Sequence, residues 1–187
     1  MGRTVREAVG MGFHHLAFAT RDLDATHAFY TDVMGFRLVK AVAGDTGSGG
    51  GWAKHVFYDT GDGTLLAFWE LHDDKIPPGW TPAISTGLGL PEWVNHVAFH
   101  SADVDALHEV RARWMRHGID VAEIDHGWCT SIYAMDPNGI LVEFCTTTKP
   151  FTDDDRRDAE RLFADPEPPV MAPPEATFHR APARAAT

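Results

Sequence analysis

Glu143 sits in the apolar run Ile140-Leu141-Val142-Glu143-Phe144-Cys145, and Glu70 sits in Leu65-Leu66-Ala67-Phe68-Trp69-Glu70-Leu71. A carboxylate buried in such a strand without a partner costs several kcal/mol, so each needs a cation or a proton. Two strand-like stretches supply matching histidines: His15 in Phe13-His14-His15-Leu16-Ala17-Phe18, and His96 in Trp93-Val94-Asn95-His96-Val97-Ala98-Phe99-His100. Two neutral imidazoles and two carboxylates form a donor set suited to one divalent metal (iron, manganese, nickel, cobalt or zinc). They leave two octahedral positions for water or a small-molecule substrate. Taken singly, a strand histidine is more often a satisfied structural residue than a ligand, and an arginine would satisfy Glu143 about as well as a metal. At matching places in a repeat, the four together favour the metal. Strand alternation turns His14 away from His15 and leaves it out of the set. His72 shares a strand face with Glu70, and His100 with His96, as supporting partners or acid/base groups. Tyr133 and the loop His126-Gly127-Trp128 lie in the stretch before Glu143.

The elements that position these residues are duplicated. With His15 set on His96, an offset of 81 residues, seven of the fifteen positions from His15 to Phe29 are identical, among them Asp22 with Asp103 and His27 with His108. A repeat at fixed offset marks a unit used twice. A strand opens each unit, and Asp22 and Asp103 cap the helices 24–34 and 104–117, which end at Gly35 and Gly118. Further strands follow over 36–42, 52–59 and 64–71 in the first unit, and over 119–124, 130–135 and 140–146 in the second. The glycine-rich stretch 44–51 reads as a hairpin loop, because no Gly-Lys-Ser/Thr follows it. Residues 12–71 therefore form one βαβββ module and 93–148 the second. The long connection 72–92 is expected to shape the pocket or a homodimer contact. A short helix over 149–164 carries Leu162 and Phe163, which could dock on the body, and 165–187 reads as a disordered tail after a loose arm at 1–11. Pairing of the modules about a pseudo-twofold axis would bring His15, Glu70, His96 and Glu143 to one point.

At 187 residues, with 44% hydrophobic residues, the chain has material for one packed domain of two modules. Its formal charge of −11 disfavours nucleic acid and anionic membrane surfaces as partners. No apolar run approaches bilayer length and no signal-peptide core precedes His14, so the expected setting is the cytoplasm. Cys129 and Cys145 read as reduced, buried thiols.

From His15-Leu16-Ala17-Phe18 through Asp22-Leu23-Asp24 to Met34-Gly35-Phe36, and again over Asp136-Pro137-Asn138-Gly139-Ile140-Leu141-Val142-Glu143-Phe144, the chain resembles the vicinal oxygen chelate superfamily. That superfamily includes glyoxalase I, methylmalonyl-CoA epimerase, extradiol dioxygenases, and the fosfomycin and bleomycin resistance proteins. The resemblance, over about residues 12–148, implies an α+β fold with paired βαβββ modules in a half-open, eight-stranded mixed-sheet barrel around a metal. The substrate would chelate that metal through neighbouring oxygens. A filled set of His15, Glu70, His96 and Glu143 resembles the glyoxalase-type isomerases and lyases, with Glu143 as base and Glu70 as the alternate. His15, His96 and Glu143 alone resemble the iron triad of the extradiol dioxygenases, and Tyr133, ten residues before Glu143, matches their catalytic tyrosine. Asp62-Gly63 stands where those enzymes carry an acid/base histidine. A drug-binding protein without catalysis is the third reading.

Overall fold

The computed structural model describes residues 12–183, so the expected arm at 1–11 lies outside the described residues. The chain divides into two compact units at Pro82/Ala83, within the long connection. Among the described residues, no helix is long and apolar enough to cross a membrane.

The first unit runs β1 (His15–Thr20), α1 (Leu23–Ala28), a π-helical turn (Phe29–Val33), β2 (Arg37–Asp45), β3 (Trp52–Asp59) and β4 (Leu65–His72). Its open sheet has the order β1-β4-β3-β2, with β1 parallel to β4 and the other pairs antiparallel. Asp22 caps α1 by accepting from the Ala25 amide at 2.8 Å. The expected helix 24–34 changes its winding after Ala28: the Met34 amide reaches back five residues to the Phe29 carbonyl at 2.9 Å. Such π turns accommodate one extra residue in a helix. Here the turn brings Phe29, Tyr30 and Val33 into the core, with the Tyr30 ring 4.8 Å from Phe68. Gly35 ends the segment at φ 78°, which a side chain would strain.

The second unit repeats the plan: β5 (His96–His100), α2 (Val104–Arg116), β6 (Val121–Asp125), β7 (Cys129–Met135) and β8 (Leu141–Thr147). Its sheet has the order β5-β8-β7-β6, again with the first pair parallel. Asp103 caps α2 through the Ala106 amide at 2.8 Å, as Asp22 does in α1. Leu107 and Trp114 of α2 are fully buried, and the Trp114 ring lies 5.8 Å from Phe144 of β8. The Asp136-Pro137-Asn138-Gly139 turn is held by the Asp136 carboxylate, which accepts from the Asn138 and Ile140 amides, both at 2.8 Å.

Two expectations about the C-terminal region are corrected. The segment 165–187 contains β9 (Ala176–His179), which pairs antiparallel with β6, so the second sheet has five strands and the described residues nine instead of eight. Polar groups attach it: His179 Nε2 lies 2.9 Å from Glu123 Oε2, Arg180 pairs with Asp120, and the Ala181 amide donates to Asp120 at 2.8 Å. A hydrophobic pattern carries no trace of such an anchor. Helix α3 (Asp153–Ala164) does form, but it buries no residue, and Leu162 and Phe163 are 39% and 95% exposed instead of docked. A Thr152/Asp155 capping box and ion pairs three residues apart stabilise it.

Candidate functional site

Strand register decides which expected residues meet. In the second unit His96 lies beside Leu141, so Glu143, two residues on, shares its sheet face. His96 Nε2 stands 3.2 Å from Glu143 Oε2, and Glu143 is buried at 5% exposure. A buried carboxylate whose partners are an imidazole and a tyrosine hydroxyl, with no permanent cation among them, is an environment a bound cation relieves. Tyr133 of β7 is the direct cross-strand neighbour of Glu143, and its hydroxyl lies 2.9 Å from His126 Nε2 in the β6–β7 turn. Burial first, then the Glu143 carboxylate, pushes the Tyr133 hydroxyl up to about 12. Tyr133 therefore stays protonated at neutral pH and can donate. Cys129 and Cys145 are free thiols on this same face, and burial together with the Cys145 contact raises the Cys129 thiol to about 11. His100, at the far end of β5, faces Cys145.

The first unit does not repeat this arrangement. His15 pairs with Leu65 as His96 pairs with Leu141, so the place equivalent to Glu143 is Ala67. Glu70 pairs with Thr20, five residues along β4 from Leu65, or about 16 Å at strand rise. The odd offset also turns Glu70 to the opposite face, the one that packs the helix. There it accepts from Lys54 Nζ at 2.9 Å and lies 3.4 Å from His72 Nε2. Burial alone would raise its carboxyl, but Lys54 outweighs this and holds it below the ordinary range. Glu70 is thus a structural ion-pair residue, and its removal from the donor set corrects the four-ligand expectation.

His14 lies beside His15. Strand β1 starts at His15, so alternation does not govern His14, whose Nδ1 lies 2.8 Å from His15 Nδ1. Sequence reasoning also missed His55 of β3. It shares the His15 face, stacks on Trp69 at 3.7 Å, and lies with its ring centroid 6.3 Å from that of His15. His55 is 7% exposed, and its buried Nε2 has no hydrogen-bond partner. Burial, then the His15 charge, lowers its pKa and keeps it neutral. Extending the His15 face across β4 to Ala53, His55 and Phe57 would have found it.

Among the described residues, no group of three or more His, Cys, Asp or Glu side chains is gathered to hold a metal. The donor chemistry and burial of His96 and Glu143 fit two ligands of a divalent ion.

Comparisons with known proteins agree with this duplicated fold. Among curated proteins none matches the chain. A glyoxylase/bleomycin resistance protein/dioxygenase domain from Frankia sp. EAN1pec is 18% identical with a TM-score of 0.57, covering 73% of this chain and 98% of its own. A mutant fosfomycin resistance protein, FosX, from Listeria monocytogenes, complexed with Mn(II) and dihydroxypropylphosphonic acid, is 20% identical at TM-score 0.50, covering 78% and 97%. TnmS3, an antibiotic binding protein from Streptomyces sp. CB03234, is 18% identical at TM-score 0.50, covering 74% and 97%. The model of the Glyoxalase/Bleomycin resistance protein/Dioxygenase superfamily matches residues 12–144, and the chain belongs to that superfamily.

Proposed function

We propose that the chain is a metal-dependent enzyme in which His15, His96 and Glu143 hold one divalent ion and a small substrate chelates it through neighbouring oxygens. The observation that carries this reading is the 3.2 Å approach of His96 Nε2 to the buried Glu143 carboxylate, directly opposite Tyr133. When bound, such an ion supplies Lewis acidity at the chelated oxygens. Tyr133, protonated and bonded to His126, then donates to or relays a proton from a substrate oxygen beside the ligands. Glu143 and His96 fix each other's orientation, and the surrounding β7 and β8 side chains exclude water from the carboxylate.

With Glu70 on the opposite face, the remaining set is two histidines and one carboxylate, which suits ferrous-iron ring cleavage of an aromatic bearing neighbouring hydroxyls. Tyr133 beside Glu143, and the neutral His55 on the His15 face, support the same reaction. A glyoxalase- or epimerase-like isomerase or lyase is the second reading, carried by Glu143 as a buried carboxylate able to take a proton. Oxygen uptake with catechol by protein reconstituted with ferrous iron separates them. Uptake that vanishes in Glu143→Gln supports ring cleavage. Proton exchange of an α-hydroxy ketone without oxygen uptake supports the second. Failure of any divalent ion to bind refutes the metal-dependent proposal and leaves a binding protein.

A further inference from the structure

A cavity of about 930 Å³ opens within the second unit, between the β6–β7 turn, the residues after β8 and the first turns of α3. Small-molecule sites span roughly 300–1,000 Å³, so the space is of ligand size. Trp128 and Phe151 form one wall, with ring centroids 5.1 Å apart and planes at 42°. They are 45% and 60% exposed, and large aromatics left open together mark a recognition surface. Backbone bonds fix this wall: the Thr148 and Lys149 amides both donate to the Trp128 carbonyl, at 2.8 and 3.1 Å.

The charges on the cavity are not equivalent. Asp155 is occupied, accepting from the Thr152 amide at 2.7 Å and the Thr152 hydroxyl at 2.6 Å. Arg156 is paired with Asp153 at 2.5 Å. Among the described residues, the Lys149 ammonium has no ion-pair partner, although the chain carries a formal charge of −11. His126 also lines the cavity, and its Nε2 lies 2.9 Å from the Tyr133 hydroxyl, so one side chain borders both the cavity and the Glu143 face.

We infer that this cavity binds the distal part of the substrate, a planar aromatic acid whose ring lies against Trp128 and Phe151 and whose carboxylate pairs with Lys149. The inference rests on the reading of the His96–Glu143 face as the reactive centre, because His126 connects the two. It extends that reading by naming a substrate class: a conjugated molecule with an anionic end away from its chelating oxygens. Aromatic contact supplies the affinity, and an ion pair with the exposed Lys149 ammonium supplies the preference for an acid.

The test is calorimetric titration of the full chain with 2-naphthoate and with its neutral isostere 2-naphthamide. The parent should bind naphthoate about fivefold more tightly than naphthamide, the scale of an exposed ion pair. Lys149→Met should abolish that preference and leave naphthamide unchanged, while Trp128→Leu should weaken both about tenfold. Equal affinities for the two probes in the parent overturn the anionic assignment, and Trp128→Leu binding like the parent overturns the cavity. Both variants should bind Mn(II) as the parent does. Naphthoate binding as described in a protein that binds no Mn(II) would sink the metal reading while the cavity assignment stands.

Discussion

Replacing Tyr133 with Phe removes a hydroxyl that the fold keeps protonated, as it does that of Tyr58. Burial raises Tyr58 to about 12, and burial with the Glu143 carboxylate raises Tyr133 to about 12, against an ordinary value of about 10. That rise corresponds to about 2.7 kcal/mol per tyrosine between the protonation states. The folded protein holds these protons where the unfolded chain has released them, so the stabilisation is complete below about pH 10 and is lost as pH rises through about 12. At pH 11 each tyrosine binds about 0.8 more proton when folded, giving a slope near −1.1 kcal/mol per pH unit. Urea unfolding of parent and Tyr133→Phe at several values from pH 9.5 to 11.5 cancels the shared lysine contributions. The variant should lose stability less steeply by about 1 kcal/mol per pH unit at pH 11. Parallel stability curves would refute the burial argument for Tyr133, and with it the claim that this side chain acts as a proton donor. Absorbance at 295 nm gives an independent count, since the variant should lack one late-titrating phenol.

Glu70→Gln should leave Mn(II) affinity unchanged and cost at most about 1 kcal/mol, because the carboxylate faces the helix side and pairs with a partly exposed Lys54. A large loss of metal affinity would return Glu70 to the donor set. Glu123 is held by Arg111, by His108 at 3.2 Å and by His179 at 2.9 Å, so Glu123→Gln should cost about 2 to 3 kcal/mol by denaturant unfolding. Burial raises the Glu123 carboxyl, but Arg111 and His108 bring the net value below the ordinary one. Its stabilisation is therefore present above the unfolded carboxyl's pKa and disappears as pH falls through the lower folded value, and acid unfolding of Glu123→Gln should lack that component. His55→Phe should stabilise the metal-free protein by about 1 kcal/mol, because it removes a buried nitrogen without a partner. Destabilisation would show that Nε2 is satisfied and void its use as a functional signal.

The parts of this fold legible in the sequence are those written in short-range patterns. Asp22 and Asp103 cap their helices because an aspartate before a helical period has a local amide to accept from, and the strands 52–59 and 96–100 follow from alternation. His96 and Glu143 meet because register and repeat point the same way. Glu70 misled because it matches Glu143 by residue type and strand but not by phase: an offset of an odd number of residues reverses the face, and composition does not count phase. His55 was hidden because its role depends on strand order, with β4 lying between β1 and β3, a long-range fact. β9 was hidden because an edge strand held by Glu123, His179 and Asp120 needs no apolar period. Phe163 stays exposed for the converse reason, since an apolar residue on a short charged helix is not bound to find a groove.

Calorimetric titration of the metal-free full chain with Mn(II), parent against Glu143→Gln, tests the central claim most directly. One site per chain is expected in the parent and a loss of affinity of about 100-fold or more in the variant, with the melting temperature of the metal-free form changed little. A variant that binds Mn(II) as tightly as the parent would contradict the assignment of the His96–Glu143 pair as metal ligands.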